Sequence, residues 1–196
     1  MLNVGVDMRE RILDELKKIE EKENVKIIMA VESGSRAWGF ASPIVYIEKE
    51  EFTWLKEVLP MYFSEKKSLY HYWHTADSTY REHLIGEEVK IKKYFYVLRP
   101  LLAAMWIRDK KTAPPMLFHD LVVAELEEEI RPELNRLLEM KKTLPEMGFE
   151  EKIPVIDGYI ESVMPKIKAV ADAMGDNVAD WDALNKLFLR MVNVGR

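Results

Sequence analysis

One short β-branched run, Lys26 to Val31, stands among segments that otherwise have the spacing of helices, and it limits what this chain can fold into. One strand cannot make a sheet, and a two-stranded ribbon is marginal in water. The chain has 196 residues, enough for one domain or two small ones. The pattern therefore predicts an α+β fold that is predominantly α, with a small α/β beginning and a long helical remainder.

Asp7 followed by Glu10 is spaced like a capping box, and Ile12, Leu13, Leu16 and Ile19 recur with helical period. A helix is predicted from Met8 to Lys22, ended by Asn24. After Val31, Ser33-Gly34-Ser35-Arg36 makes a tight turn, then a short helical piece through Trp38 stops at Gly39. Ile44 to Tyr46 reads as extended. Further helices are predicted at Glu50 to Leu59, Ser64 to Ile85, Glu87 to Arg108, Pro115 to Lys142, Pro154 to Met174 and Val178 to Val192. Pro100 and Pro132 are placed to kink or divide their segments. The expected division is a first part at 1–48 and a helical domain at 49–196.

Hydrophobic content of 48% and charged content of 32% suit a folded globular chain rather than a disordered one. The net charge of −5 excludes a generally basic nucleic-acid coat and leaves room for a local basic groove. The chain has no cysteine, so disulfides and thiolate metal sites are ruled out. The first residues lack the layout of a signal peptide, and no apolar stretch has the length of a membrane span. The expectation is a cytoplasmic protein with no membrane partner.

Three stretches carry chemistry. At Ser33-Gly34-Ser35-Arg36 the amides of a helix start favour an anion, two hydroxyls add donors, and Arg36 adds a charge. A triphosphate cradle and an ordinary strand-to-helix turn capped by Ser both fit that spacing. Lys90, Lys92, Lys93 and Arg99 are interleaved with Tyr94, Phe95 and Tyr96. Lys92, Lys93 and Arg99 suit a triphosphate or an RNA backbone, or they sit on an amphipathic helix with aromatics in the core and lysines in water. His71 and His74 lie one helical turn apart, but nothing nearby is placed to finish a metal site. Tyr70, Trp73 and Tyr80 read as core or interface contacts, and Met140, Met164, Met174 and Met191 as core or partner surface.

The string SGSRAWGFASP resembles the polymerase-β-like nucleotidyltransferase superfamily, and more closely its bacterial and phage RNA-repair-pathway group. SPIVY, YFSEKKSLYHYWHTADSTYREHL and EVKIKKYFYVLRPLLAAMWIRDKKTAPPMLF resemble later parts of the same family, so the likeness spans Val25 to Phe118. It implies transfer of a nucleoside monophosphate from an NTP such as ATP to an acceptor hydroxyl, with Mg²⁺, on RNA or on a protein side chain. Ser33, Gly34, Ser35 and Arg36 would hold the triphosphate, with Lys92, Lys93 and Arg99 as further nucleotide contacts.

In that family the Ser-Pro after the turn leads into a Ser-Asp-Tyr-Asp segment on the next strand, and a third acid follows later. Here Ser42-Pro43 leads straight into Ile44-Val45-Tyr46, so the N-terminal part resembles a truncated nucleotidyltransferase domain. Two divalent ions activate the hydroxyl and neutralise the pyrophosphate in such chemistry, and Mg²⁺ needs hard oxygen ligands. Glu48 and Glu50 have i, i+2 spacing, but their surroundings read as a helix start, where that spacing points side chains apart. No catalytic residue and no metal ligand can be assigned from the sequence. Two functional classes stay open: the enzyme of the family, and a non-catalytic relative that binds RNA or a protein.

Overall fold

The computed structural model describes residues 4–31, 47–143, 149–176 and 179–193. They form two compact units, one of residues 1–62 with 178–196 and one of residues 63–177. The fold is predominantly α, as its periodicity predicts.

The first unit opens with α1, Val4–Glu23. It starts ahead of Asp7, so that residue lies inside the helix rather than capping it. Asn24 ends α1 with a φ of 49°, the left-handed conformation that asparagine tolerates. The expected strand is shorter than its composition suggests: β1 is Met29–Ala30, antiparallel to β2, Ile47–Glu48, with Met29 opposite Glu48. One reason is local. The amide of Ile27 donates to Glu20 Oε1 at 2.7 Å, a side-chain bond in place of a ladder bond. Glu48 therefore belongs to a strand and not to a helix start, which corrects the sequence-based expectation.

Helix α2, Glu50–Tyr62, begins with Glu50 and Glu51 where the dipole favours acids. It runs on past Pro60, whose missing N–H falls in the last turn and removes one bond only. It packs with α8, Asp182–Val192, which buries Leu187 and sets the Arg190 guanidinium 3.6 Å from the Trp54 ring centroid. Helix α8 starts later than Val178 because Asp180 Oδ1 accepts the Asp182 amide at 3.0 Å, a side-chain turn that holds the chain out of the helix. The expected helical piece through Trp38 and the extended Ile44 to Tyr46 lie outside the described residues.

The second unit is built round α4, Ile91–Lys110, which is buried on nearly all sides from Tyr94 to Ile107. Helix α3, Glu65–His83, lies against it, with Leu69 and Ala76 fully buried. Ser64 caps α3, its Oγ accepting the Lys67 amide at 3.3 Å. The expected helix start at Glu87 is instead a strand, β3, Glu88–Lys90, antiparallel to β4, Phe149–Glu151. Helix α4 passes through Pro100 unbroken.

The expected single helix from Pro115 divides into α5, Phe118–Glu125, a 3-10 turn at Glu128–Ile130, and α6, Arg131–Thr143. Pro132 sits in the first turn of α6, where a missing N–H costs nothing. Helix α7, Pro154–Ala173, starts on a proline for the same reason and packs on α3 and α4.

Candidate functional site

The turn Ser33-Gly34-Ser35-Arg36 lies outside the described residues, and its two flanks are the β1–β2 ribbon. That ribbon is tied to α1 and α2 by charge. Glu20 Oε1 accepts the Ile27 amide and also Lys49 Nζ at 2.5 Å, while the Lys49 amide donates to the Ile28 carbonyl at 3.0 Å. The Lys49 ammonium, then the Ile27 amide, holds the Glu20 carboxyl below its usual pKa. Glu51 pairs with Lys26, whose ammonium lowers the Glu51 carboxyl in the same way. Glu51 is 7% exposed and committed to this structural contact, while Glu50 faces solvent.

The three basic residues expected at a nucleotide are placed on α4 in different settings. Arg99 is only 8% exposed, and its Nη2 donates to the Met116 carbonyl at 3.1 Å. Burial lowers its pKa. Lys93 Nζ lies 2.7 Å from His83 Nε2 and 5.7 Å from the Tyr96 ring centroid. Lys92 is half-buried. Of the aromatics between them, Tyr94 and Phe95 are core and Tyr96 is exposed. The Tyr94 hydroxyl accepts the Ile153 amide at 3.0 Å and donates to Asp157 at 3.2 Å, so this stretch holds α4 to the start of α7. Burial raises the pKa of both Tyr94 and Asp157.

His71 and His74 are exposed on α3. Among the described residues no three His, Asp or Glu side chains lie together as a metal ion requires. The described donor set therefore does not fit the two-ion centre of nucleotidyl transfer.

One acidic pair had no signal in the sequence. Glu125, at the end of α5, is 9% exposed and lies beside Asp109 near the end of α4. Asp109 is gripped by Arg108 through Nε at 2.6 Å and Nη2 at 2.7 Å. Burial, then the hydrogen bond and the charge of Asp109, pushes the Glu125 carboxyl up to about 7, while Arg108 keeps Asp109 ionised by lowering its pKa.

In chain order β1 precedes the Ser33-Gly34-Ser35-Arg36 stretch, and the helical body follows it. The chain belongs to the RNA repair pathway DNA polymerase beta family, whose pattern matches residues 8–43 and 40–190. Those two matched pieces meet at Ser42-Pro43. An uncharacterized protein of Bacillus subtilis (strain 168), YcgL, is 33% identical over 254 aligned residues, which take in 94% of this chain and 96% of that protein. Because 254 exceeds the 196 residues here, several dozen aligned positions have no residue in this chain. No solved structure matches the chain. Among the described residues no helix is long and apolar enough to cross a membrane.

Proposed function

We propose that this chain is a nucleotide-binding member of its family that has lost the catalytic segment between Pro43 and Ile44. The family reaction joins an acceptor hydroxyl oxygen to the α-phosphorus of an NTP. It breaks the bond to the β-phosphate bridging oxygen, releases pyrophosphate, and gives up the hydroxyl proton. RNA is the favoured acceptor, a protein side chain the other. The observation that carries the proposal is the junction: the family match splits at residues 40–43, and a relative aligned over nearly its whole length needs more positions than this chain has.

Binding and chemistry separate under such a loss. Ser33, Gly34, Ser35 and Arg36 would still offer amides, hydroxyls and a cation to a triphosphate in a cytoplasmic protein. Ground-state binding of this kind does not speed the chemical step. Charge stabilisation by Mg²⁺ on clustered carboxylates does so, and Glu20 and Glu51, the acids beside the β1–β2 ribbon, are bonded to Lys49 and Lys26. The test is calorimetric titration of the chain with ATP. Binding that is lost in the double variant Ser35→Ala with Arg36→Ala supports the cradle. Binding unchanged in that variant refutes it.

A further inference from the structure

Exposed apolar surface is concentrated in the first unit. Among the described residues sixteen large apolar side chains stand exposed, and ten of them belong to this unit, the smaller of the two. Its described sheet is the two-residue ribbon β1–β2, which has little to lay against its helices. Clustered apolar side chains left in water mark a surface that something else covers.

Helix α8 carries the largest of them. It runs antiparallel to α2: the Arg190 guanidinium sits on the Trp54 ring, while the Tyr62 hydroxyl accepts the Leu184 amide at 3.3 Å and the Tyr62 ring lies 6.5 Å from that of Trp181. Leu184, Leu187 and Met191 recur at helical spacing as its inner face, Leu187 buried and the other two half-buried. A helix on the surface of a globular protein turns polar residues to the other side. Here Trp181, Phe188 and Val192 recur on the outer side with Leu189 next to them, Trp181 70% and Phe188 64% exposed. Asn185 lies in the middle of this second stripe, and no charged residue interrupts it. Asp182 and Lys186 stand away from it on a third, charged side.

The place of the stripe in the fold points to its occupant. Trp54 is one turn into α2, which begins just after β2, so the Arg190 and Val192 end of α8 lies at the ribbon. The junction where the family match splits falls in the chain between β1 and β2. Several dozen aligned positions of the Bacillus relative have no residue here, and a segment of that size would leave from β1 and return to β2, next to the stripe. We propose that the outer stripe of α8 is the docking surface for the segment this chain lacks after Pro43, and that the chain takes up such a segment when another polypeptide supplies it. The partner is a polypeptide with an apolar face that buries Trp181, Phe188 and Val192. The inference rests on the loss of that segment proposed above. Its test reads coverage of α8 and not ATP binding, so the two readings can fail separately.

The chain has no cysteine, so single thiols report on α8 without background. Asn185→Cys puts a thiol in the stripe, and Lys186→Cys puts one on the charged side of the same helix; both native side chains are exposed. Each variant is labelled with a maleimide in three samples. One is the whole chain alone, and one is the chain with the extra aligned positions of the Bacillus relative inserted after Pro43. The third is the whole chain mixed with those positions fused to a soluble carrier, any cysteine in them replaced by serine. The inserted chain is the reference for a segment folded in place. The thiol at position 185 reacts at least tenfold more slowly with the segment present in either form, and the thiol at position 186 changes less than twofold. Phe188→Asp with Val192→Asp restores the fast rate at position 185 in the mixture. An unchanged rate at position 185 in the inserted chain, or slowing there without slowing in the mixture, overturns the proposal. So does equal slowing at 185 and 186, or slowing that appears in the chain alone as its concentration rises, which assigns the stripe to a second copy.

Discussion

Replacing Glu125 by Gln should stabilise the chain at and above neutral pH and leave it nearly unchanged in mild acid. The Glu125 carboxyl moves from an ordinary 4.5 to about 7 on folding because it is buried beside Asp109. A raised acid binds its proton more tightly in the folded state. Below pH 4.5 both folded and unfolded chains are protonated, and the group costs nothing. Between pH 4.5 and 7 the unfolded chain ionises first, so stability falls as pH rises; above 7 the loss is complete. At 1.36 kcal/mol per pKa unit the full loss is about 3 kcal/mol. Glutamine keeps the shape and an N–H donor for Asp109 but cannot ionise. Urea unfolding at pH 5, 6, 7 and 8 measures it: the variant's advantage grows across that range and levels off above pH 7. An advantage that is constant with pH, or largest at pH 5, refutes the assignment of the titrating proton to this pair.

Other perturbations follow from the same structure. Leu101→Ala, at a fully buried position of α4, should cost about 2–5 kcal/mol in urea unfolding. Tyr94→Phe leaves the buried Ile153 amide and Asp157 without the hydroxyl they share, and should cost roughly 1–3 kcal/mol by the same measurement. Ser64→Ala removes the cap of α3 and should cost about 1 kcal/mol. Lys26→Ala strips Glu51 of its partner and should lower the thermal midpoint, less so in high salt.

The long helices were legible because their signals are local. Ser64 followed by Glu65, and Pro154 ahead of an apolar period, mark starts that the structure keeps for α3 and α7. Helix α4 was legible as a helix but not as the centre of its unit. Its lysines and arginine suggested an open face, yet Arg99 is spent on the Met116 carbonyl. The β3–β4 pair was not legible, since three residues near Glu88 pair with three near Glu150 across some sixty residues of chain, and neither triplet has strand composition. Glu125 beside Asp109 left no trace for the same reason: their proximity is made by packing, not by spacing. The junction after Ser42-Pro43, by contrast, could be read only in sequence, by resemblance, and the split family match falls at the same place.

The central claim is that catalysis was lost with the stretch between Pro43 and Ile44 while the rest of the chain kept its fold. It is tested by nucleotide transfer in parallel on two proteins, the 196-residue chain and the same chain with the extra aligned positions of the Bacillus relative inserted after Pro43. Both are incubated with α-labelled ATP, Mg²⁺ or Mn²⁺, and RNA or protein acceptors. The account predicts metal-dependent label transfer by the second and none by the first. Metal-dependent transfer by the 196-residue chain that is lost in Glu48→Gln with Glu50→Gln, or that persists without that pair, contradicts it.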